Sequence, residues 1–218
     1  MAQRMIHYLI GTMLAEEYEI VNRGRFLLGS ILPDAYIRKQ DRDLTHFADR
    51  KDPLIRYYDF EAFRARFREK MEDSLYLGYY MHLVEDVFYR RLIRIDHDLR
   101  LYDDPESVRK LHFDYQLLNK YIADRCHLRD ELLNPPEISG EEILSVADFD
   151  LNLFLQEFHH DFTEKVEGTT TFLTEEILQE FLDKYLGEIR KECGAVIRGE
   201  HYLTAKDLAW KKKQPQKT

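Results

Sequence analysis

The chain has 218 residues, of which 44% are hydrophobic and 33% charged, so it is long and apolar enough for a folded domain and is not a disordered protein. Its formal charge of −9 excludes a broad surface for duplex nucleic acid, because the one dense lysine run is confined to residues 211–213. The two cysteines, Cys126 and Cys193, have neither a disulfide-framework nor a zinc-binding spacing, which favours a cytoplasmic location.

Apolar residues recur at three- and four-residue intervals along most of the chain. With nine Gly and six Pro, this spacing predicts an all-α fold. We expect a single helical domain over residues 1–210 and a basic polar tail at 211–218. The apolar stretch at 5–14 is too short to span a bilayer, so we do not expect an integral membrane protein.

The first quarter of the sequence predicts two helices and a long loop. A first helix is expected over residues 4–18, and a shorter one over residues 26–31 is ended by a proline, which leaves Asp34 where that helix stops. Residues 35–59 have no clean period, so we expect a loop with one or two short turns around His46.

The rest of the sequence predicts five helices, of which the central one is the most apolar. Asp104 before Pro105 is typical of a helix cap and first helical residue. Ser139 followed by Glu142 is typical of a capping box. The expected helices cover about residues 60–71, 75–95, 105–125, 140–166 and 175–197.

The most specific functional signal is the pair His82 and Asp86 in the central helix. Four residues advance a helix by about one turn plus 40°, so both side chains share one face. They offer a nitrogen and a hard oxygen ligand, which suits zinc or a similar divalent ion. A hydrogen bond between the two would also explain the pair, but His7, Asp34 and His46 stand in similarly apolar surroundings.

The segments that contain these residues resemble the zinc-dependent phospholipase C family, whose fold is shared with the single-strand-specific fungal nucleases. The resemblance covers roughly the first 90 residues and implies a multi-helix fold of this type around a polynuclear zinc site. It runs through Met5-Ile6-His7, Gly29-Ser30-Ile31-Leu32-Pro33-Asp34, Thr45-His46-Phe47 and Gly78-Tyr79-Tyr80-Met81-His82-Leu83-Val84-Glu85-Asp86.

The resemblance also implies a set of metal ligands. Asp34, His46, His82 and Asp86 would surround one metal ion. His7 would bind a second ion, and Asp86 would bridge the two, since a carboxylate has two oxygens whereas an imidazole offers one nitrogen per metal.

A third ion would need ligands that depart from the family pattern. The family has a histidine about six residues after the bridging aspartate, where this sequence has Leu92. We expect His112, next to Asp114 on the following helix, to replace it. The pair His160 and Glu164 is the alternative, although a solvated helix face explains that pair better.

The activity implied by the resemblance is hydrolysis of phosphate esters, in phospholipids or nucleotides, by a metal-activated water that attacks phosphorus. Two or three zinc or similar divalent ions are expected, and a single ion is also open. Asp34 is the candidate general base. Arg50, with Arg90 or Arg91, is a candidate to neutralise the substrate phosphate, although exposure on the surface is the commoner explanation of an arginine; the substrate-binding residues stay open.

Two other interpretations stay open. A helical phosphohydrolase of the His-Asp type would also hold divalent metal, but the dipeptides His97-Asp98 and His160-Asp161 stand in polar stretches. In the second interpretation the site is degenerate, with one structural metal or none, and the chain is a helical binding module. Metal content and a phosphoesterase assay distinguish these alternatives.

Overall fold

The structure is a computed structural model that describes residues 3–49, 51, 55–99 and 104–211. Of the residues, 66% are helical and 4% lie in strands, which confirms the predicted all-α class. Arg50 and most of the predicted tail lie outside the described residues. The α-helices of the described part are α1 (Arg4–Glu17), α2 (Arg23–Ile31), α3 (Arg42–Thr45), α4 (Phe60–Arg66), α5 (Ser74–Arg91), α6 (Pro105–Arg125), α7 (Leu151–Thr163) and α8 (Glu175–Ile197).

The first two helices lie where the sequence predicts them. α2 is capped by Asn22, whose side-chain oxygen accepts a backbone N–H of the first turn at 3.2 Å. The chain continues into a 3-10 turn, Leu32–Asp34, because Pro33 has no N–H for a further α-helical hydrogen bond. Asp34 therefore lies at the end of this turn, as predicted.

Residues 35–59 are more ordered than the predicted loop. A 3-10 turn, Lys39–Asp41, and then α3 precede His46, in agreement with the expected short turns. Short strands follow that were not predicted, because strands of two to four residues leave no period in the local sequence. They form an antiparallel sheet in the order β1 (Ala48–Asp49), β2 (Ile55–Tyr58) and β3 (Trp210–Lys211).

α5 is buried over most of its length, which agrees with its expected central position. It is capped by Asp73, whose carboxylate accepts the N–H of Leu75 at 2.8 Å. A π-helical turn, Leu92–Asp96, forms its predicted last turn. The preceding α4 is shorter than the predicted helix at 60–71, since a 3-10 turn (Arg68–Lys70) replaces its last part.

α6 and α8 begin at the predicted caps, whereas α7 does not. Asp104 accepts two backbone N–H groups of α6 at 2.9 Å, and Thr174 accepts one from α8. The predicted capping box of Ser139 and Glu142 is wrong, since Glu142 begins a 3-10 turn of four residues. α7 starts only after Asp150, because the backbone before it is held by a β-bridge that involves Phe149.

Two glycines bring the backbones of α2 and α5 into direct contact. A Cβ at Gly29 would lie 2.1 Å from the carbonyl oxygen of Leu75, and a Cβ at Gly78 would lie 2.1 Å from that of Phe26. No side chain fits at either position without moving a helix. The close crossing places Ser30 against the buried face of α5.

The buried apolar side chains form one core cluster that extends from Met5 to Ala205. Aromatic rings from α4 and α5 fill part of it, with Phe63 stacked on Tyr79 at 5.3 Å between ring centroids. Within the described residues, none of the helices has both the length and the hydrophobicity required to cross a bilayer.

Candidate metal centre

The structure brings together five of the six predicted metal ligands. α1 supplies His7, the 3-10 turn after α2 supplies Asp34, the residue after α3 is His46, and α5 supplies His82 and Asp86. Ligand atoms lie within 4.8 Å of one another in each of two overlapping groups, one with His7, Asp34 and His82, the other with His46, His82 and Asp86. Asp34 keeps the most exposed side chain, at 10%.

Backbone carbonyls fix the tautomers of two of the imidazoles. His82 Nδ1 donates to the carbonyl oxygen of Ser30 at 2.8 Å, and His46 Nδ1 donates to that of Arg42 at 2.9 Å. A carbonyl oxygen only accepts, so each Nδ1 carries the proton and each neutral ring keeps its lone pair on Nε2. These two Nε2 atoms face each other at 3.3 Å.

Two lone pairs at that distance repel each other unless a proton or a metal ion lies between them. Burial lowers the pKa of His82 to about 3, assisted by the positive charge of His7, so a proton on His82 does not meet this need near neutral pH. Burial also lowers the pKa of His46. The convergent nitrogens together with the nearby carboxylates are the ligand set that zinc and similar ions prefer, so these residues fit a metal ion.

The two carboxylates lie on either side of these rings. Oδ1 of Asp34 lies 3.4 Å from His46 Nε2 and, within the described residues, has no aligned hydrogen-bond donor. Burial alone would raise the pKa of Asp34, but the contact with His46, and the charge that His82 carries at the low pH where Asp34 titrates, lower it to about 2, so Asp34 is ionised near neutral pH. An ionised, buried oxygen without a donor also fits a cation site.

Asp86 faces two different imidazoles with its two oxygens. Oδ2 lies 3.6 Å from His46 Nε2, and Oδ1 lies 3.6 Å from His7 Nε2. The side chain is fully buried. This is the arrangement that a carboxylate needs to bridge two ions.

His7 has an anionic partner that sequence reasoning missed. Its Nδ1 donates to Glu85 Oε2 at 2.6 Å, and its ring stacks on that of His82 with 3.7 Å between centroids. Burial alone would lower the pKa of His7, but Asp86 and Glu85 together raise it to about 10, so the metal-free ring is protonated at both nitrogens near neutral pH and a metal ion at Nε2 would displace that proton. The available signal was Glu85 itself, a second carboxylate beside Asp86 in the most apolar helix.

Two arginines border the cluster on the side of His46. The ring of Tyr58 lies 5.6 Å from that of His46, and its hydroxyl accepts from Arg90 Nε at 2.8 Å and from Arg42 Nη2 at 3.3 Å. The predicted phosphate ligand Arg90 is therefore close to the candidate centre. Arg91 is exposed on the other side of the helix end.

The structure does not bring His112 to the cluster. It is exposed on α6, where its ring lies against Tyr115 at 6.2 Å. The neighbouring Asp114 is buried, but its carboxylate accepts the backbone N–H groups of Thr171, Phe172 and Leu173. His112 and Asp114 therefore do not form the predicted third metal site, because His112 is exposed to solvent and the carboxylate of Asp114 already accepts hydrogen bonds from the backbone of residues 171–173.

The alternative ligands also lie apart from the cluster. His160 and Glu164 are both exposed on and after α7, as expected for a solvated helix face. Of the His-Asp dipeptides, His97 pairs with Glu180 at 2.8 Å, and Asp161 accepts from Arg4 and Asn119. Among the residues that the structure describes, no third group of metal-ligand type is found.

Comparisons with known proteins give no match. No family model matches the chain, and neither a search of curated proteins nor a search of solved structures finds a similar one. The resemblance to the zinc-dependent phospholipase C family therefore rests on the motifs alone and stays a prediction. The candidate centre has to be judged on its own geometry.

Proposed function

We propose that this chain is a zinc-dependent phosphoesterase, phospholipase C-like, whose centre is the cluster of His7, Asp34, His46, His82 and Asp86. The observation that carries the proposal is the pair of Nε2 atoms of His46 and His82, which face each other at 3.3 Å with both Nδ1 protons already used by carbonyls. Two acceptors held in this way at the centre of a core are stabilised by a shared cation.

The resemblance implies a division of these residues between two ion positions. Asp34, His46, His82 and Oδ2 of Asp86 would hold one ion, and His7 with Oδ1 of Asp86 would hold the other; His46 Nε2 lies 3.4 Å from Asp34 and 3.6 Å from Oδ2 of Asp86, and His7 Nε2 lies 3.6 Å from Oδ1 of Asp86. When bound, divalent zinc supplies Lewis acidity, which polarises phosphoryl oxygens and lowers the pKa of a water toward neutrality. A third ion is not part of the proposal.

Asp34 is the proposed general base. It is ionised, and it has more exposed side-chain surface than the other four members, so water and substrate meet the cluster there. A carboxylate at that point would accept the proton of the attacking water and orient it toward phosphorus. The other four members of the cluster, which are buried, would only bind the ions and hold them in place.

The proposed substrate is a small phosphate ester, such as a phospholipid headgroup or a nucleotide. Arg90 and Arg42 converge on the hydroxyl of Tyr58 next to His46, which supports an anion at this side of the centre. The net charge of −9 argues against duplex nucleic acid. The cytoplasmic location is part of the proposal, and it is supported by Cys126 and Cys193, which are both free thiols.

The first experiment measures zinc in the untagged protein together with hydrolysis of phosphomonoesters and phosphodiesters, with and without a chelator. We expect two equivalents of zinc and a hydrolysis rate that the chelator abolishes and added zinc restores. Zinc without hydrolysis of any ester would instead favour the degenerate binding module. That alternative has one supporting observation, since the cluster is almost closed to solvent.

The first prediction concerns His82 and Asp86. Replacement of either by alanine removes a direct ligand, so we expect zinc content to fall and hydrolysis to drop at least ~100-fold. His201→Ala is the matched control, because this histidine is exposed and belongs to neither group of candidate ligands. Full zinc content and turnover in His82→Ala would refute the assignment.

A further inference from the structure

Glu85 is a fully buried carboxylate that the proposed chemistry does not use. It lies on α5 next to Asp86, and its Oε2 accepts the Nδ1 proton of His7 at 2.6 Å. Its other oxygen, Oε1, has no hydrogen-bond partner within the described part of the chain. Burial of a carboxylate oxygen without a hydrogen-bond partner destabilises the folded protein, so the presence of Glu85 in the core calls for a functional explanation.

The three imidazoles of the cluster are anchored in the same way but by different groups. His46 and His82 donate from Nδ1 to neutral backbone carbonyls, whereas His7 donates to the carboxylate of Glu85. A carboxylate partner orients the ring as a carbonyl does, and its charge also makes Nε2 a stronger donor to a metal. His46 Nδ1 also lies 2.9 Å from the hydroxyl of Thr45, so His7 is the one imidazole of the three whose Nδ1 has a carboxylate partner.

We propose that Glu85 is a positioning residue for the cation held by His7 and Oδ1 of Asp86, and that it does not support the cation held by His46 and His82. The inference rests on the metal centre of the proposed function. It adds that the two ion positions have separate supports, one that depends on the carboxylate of Glu85 and one that depends on the backbone carbonyls of Ser30 and Arg42.

The selectivity follows from the contacts. The hydrogen bond of Glu85 within the cluster goes to His7, whose Nε2 lies 3.6 Å from Oδ1 of Asp86. Oδ2 of Asp86 faces His46 instead. Loss of the carboxylate at position 85 therefore frees the ring of His7 while the carbonyl anchors of the other two rings stay in place.

The experiment titrates zinc into the metal-free wild type and into Glu85→Gln and Glu85→Ala, with a chromophoric chelator as competitor. We expect two equivalents in the wild type. Glu85→Ala should weaken one equivalent by about 10–100-fold and leave the affinity for the other within about 3-fold. Glu85→Gln should fall between, because its amide oxygen still accepts the Nδ1 proton but carries no charge.

Cobalt(II) provides a readout that a general loss of stability would not give. Each bound cobalt contributes its own visible absorption, so the Glu85 variants should lose one component of the spectrum and keep the other. Glu192→Gln is the matched control, since Glu192 is equally buried and its hydrogen bonds go to Tyr80, Tyr202 and Leu203, outside the cluster. It should keep both equivalents.

The inference is overturned if both zinc affinities are unchanged in Glu85→Ala, or if both are weakened equally in Glu85→Gln. A wild type that binds fewer than two equivalents overturns it as well. A different result would refute the proposed function: zinc-loaded wild-type protein that hydrolyses no phosphate ester. In that case selective loss of one equivalent still supports the role of Glu85.

Discussion

At the level of single residues, the candidate centre depends on the hydrogen bonds that fix the Nδ1 protons of its imidazoles as much as on the positions of its ligand atoms. Each of the imidazoles of His7, His46 and His82 has its Nδ1 engaged by an acceptor, and each turns Nε2 toward the carboxylates. The ligand atoms are thus selected by hydrogen bonds on the far side of the rings. Metal sites in proteins commonly depend on such outer contacts.

The sequence predicted the five cluster residues because each is a metal-ligand type in apolar surroundings and because their motifs resemble those of the zinc-dependent phospholipase C family. It did not predict Glu85, whose partner His7 is 78 residues away in the chain, so that no local pattern joins them. His112 was chosen as a replacement for the family histidine that is absent at Leu92, but it lies on the exposed face of α6. Residue type in an apolar segment was informative here, and residue type on an amphipathic helix was not.

The arginines allow a second prediction. Replacement of Arg90 by alanine should weaken inhibition of the zinc-loaded protein by inorganic phosphate about 10-fold or more, because it removes a guanidinium held beside Tyr58 and His46. Zinc content should not change. Arg91→Ala is the control, since that neighbour is exposed; equal phosphate inhibition in the two variants would contradict the role of Arg90.

At the scale of elements, the crossing of α2 and α5 determines where the ligands of α5 stand. The contact at Gly29 and Gly78 holds the carbonyl of Ser30 against His82 Nδ1. The same crossing orients Asp34, which follows directly from the end of α2. Helix packing at this one point therefore sets both a tautomer and a carboxylate position.

A third prediction tests this crossing. Gly78→Ala forces a Cβ to within 2.1 Å of the carbonyl oxygen of Phe26, so we expect a loss of about 3 kcal/mol or more in the free energy of unfolding, and weaker zinc binding. Gly187→Ala is the control, because it lies in α8 with no atom within 4 Å of an added Cβ.

The control should gain about 0.5–1 kcal/mol, as expected for alanine in place of glycine inside an exposed helix. Chemical denaturation of both variants measures the difference. If Gly78→Ala were as stable as Gly187→Ala and bound zinc normally, the close contact between α2 and α5 would not hold in solution.

The sequence predicted the helices better than their connections. α1, α2, α6 and α8 have the expected limits to within a few residues, since caps such as Asp104 and Thr174 act locally. The helix expected after Ser139 starts instead beyond Asp150, since the backbone before it pairs with a distant segment at Tyr36. Tertiary pairing overrode a valid local signal there.

At the scale of the whole molecule, the cluster joins parts of the chain that are far apart in sequence. Its members come from α1, from the turn after α2, from the residue after α3 and from α5, so they span residues 7 to 86. A shared cation would link these four points through the core. Metal binding and global stability should therefore be coupled.

A last prediction follows from that coupling. Zinc at about 100 times its dissociation constant adds about 2.7 kcal/mol to the free energy of unfolding, which for a chain of this size raises the melting temperature by roughly 5–10 °C. Calorimetry with zinc and with a chelator measures the shift. Asp86→Ala should lose most of it, and an identical melting temperature in both conditions would argue against a centre in the folded core.

The contact between α2 and α5 at Gly29 and Gly78 also limits which substitutions the chain can accept during evolution. The obstacle to a larger residue at position 29 is the main chain of α5, and the obstacle at position 78 is the main chain of α2. Substitution of a neighbouring residue by a smaller one would not remove the steric clash at either position. A mutation at one glycine thus cannot be rescued by a smaller residue opposite, and recovery requires either reversion or a shift of an entire helix.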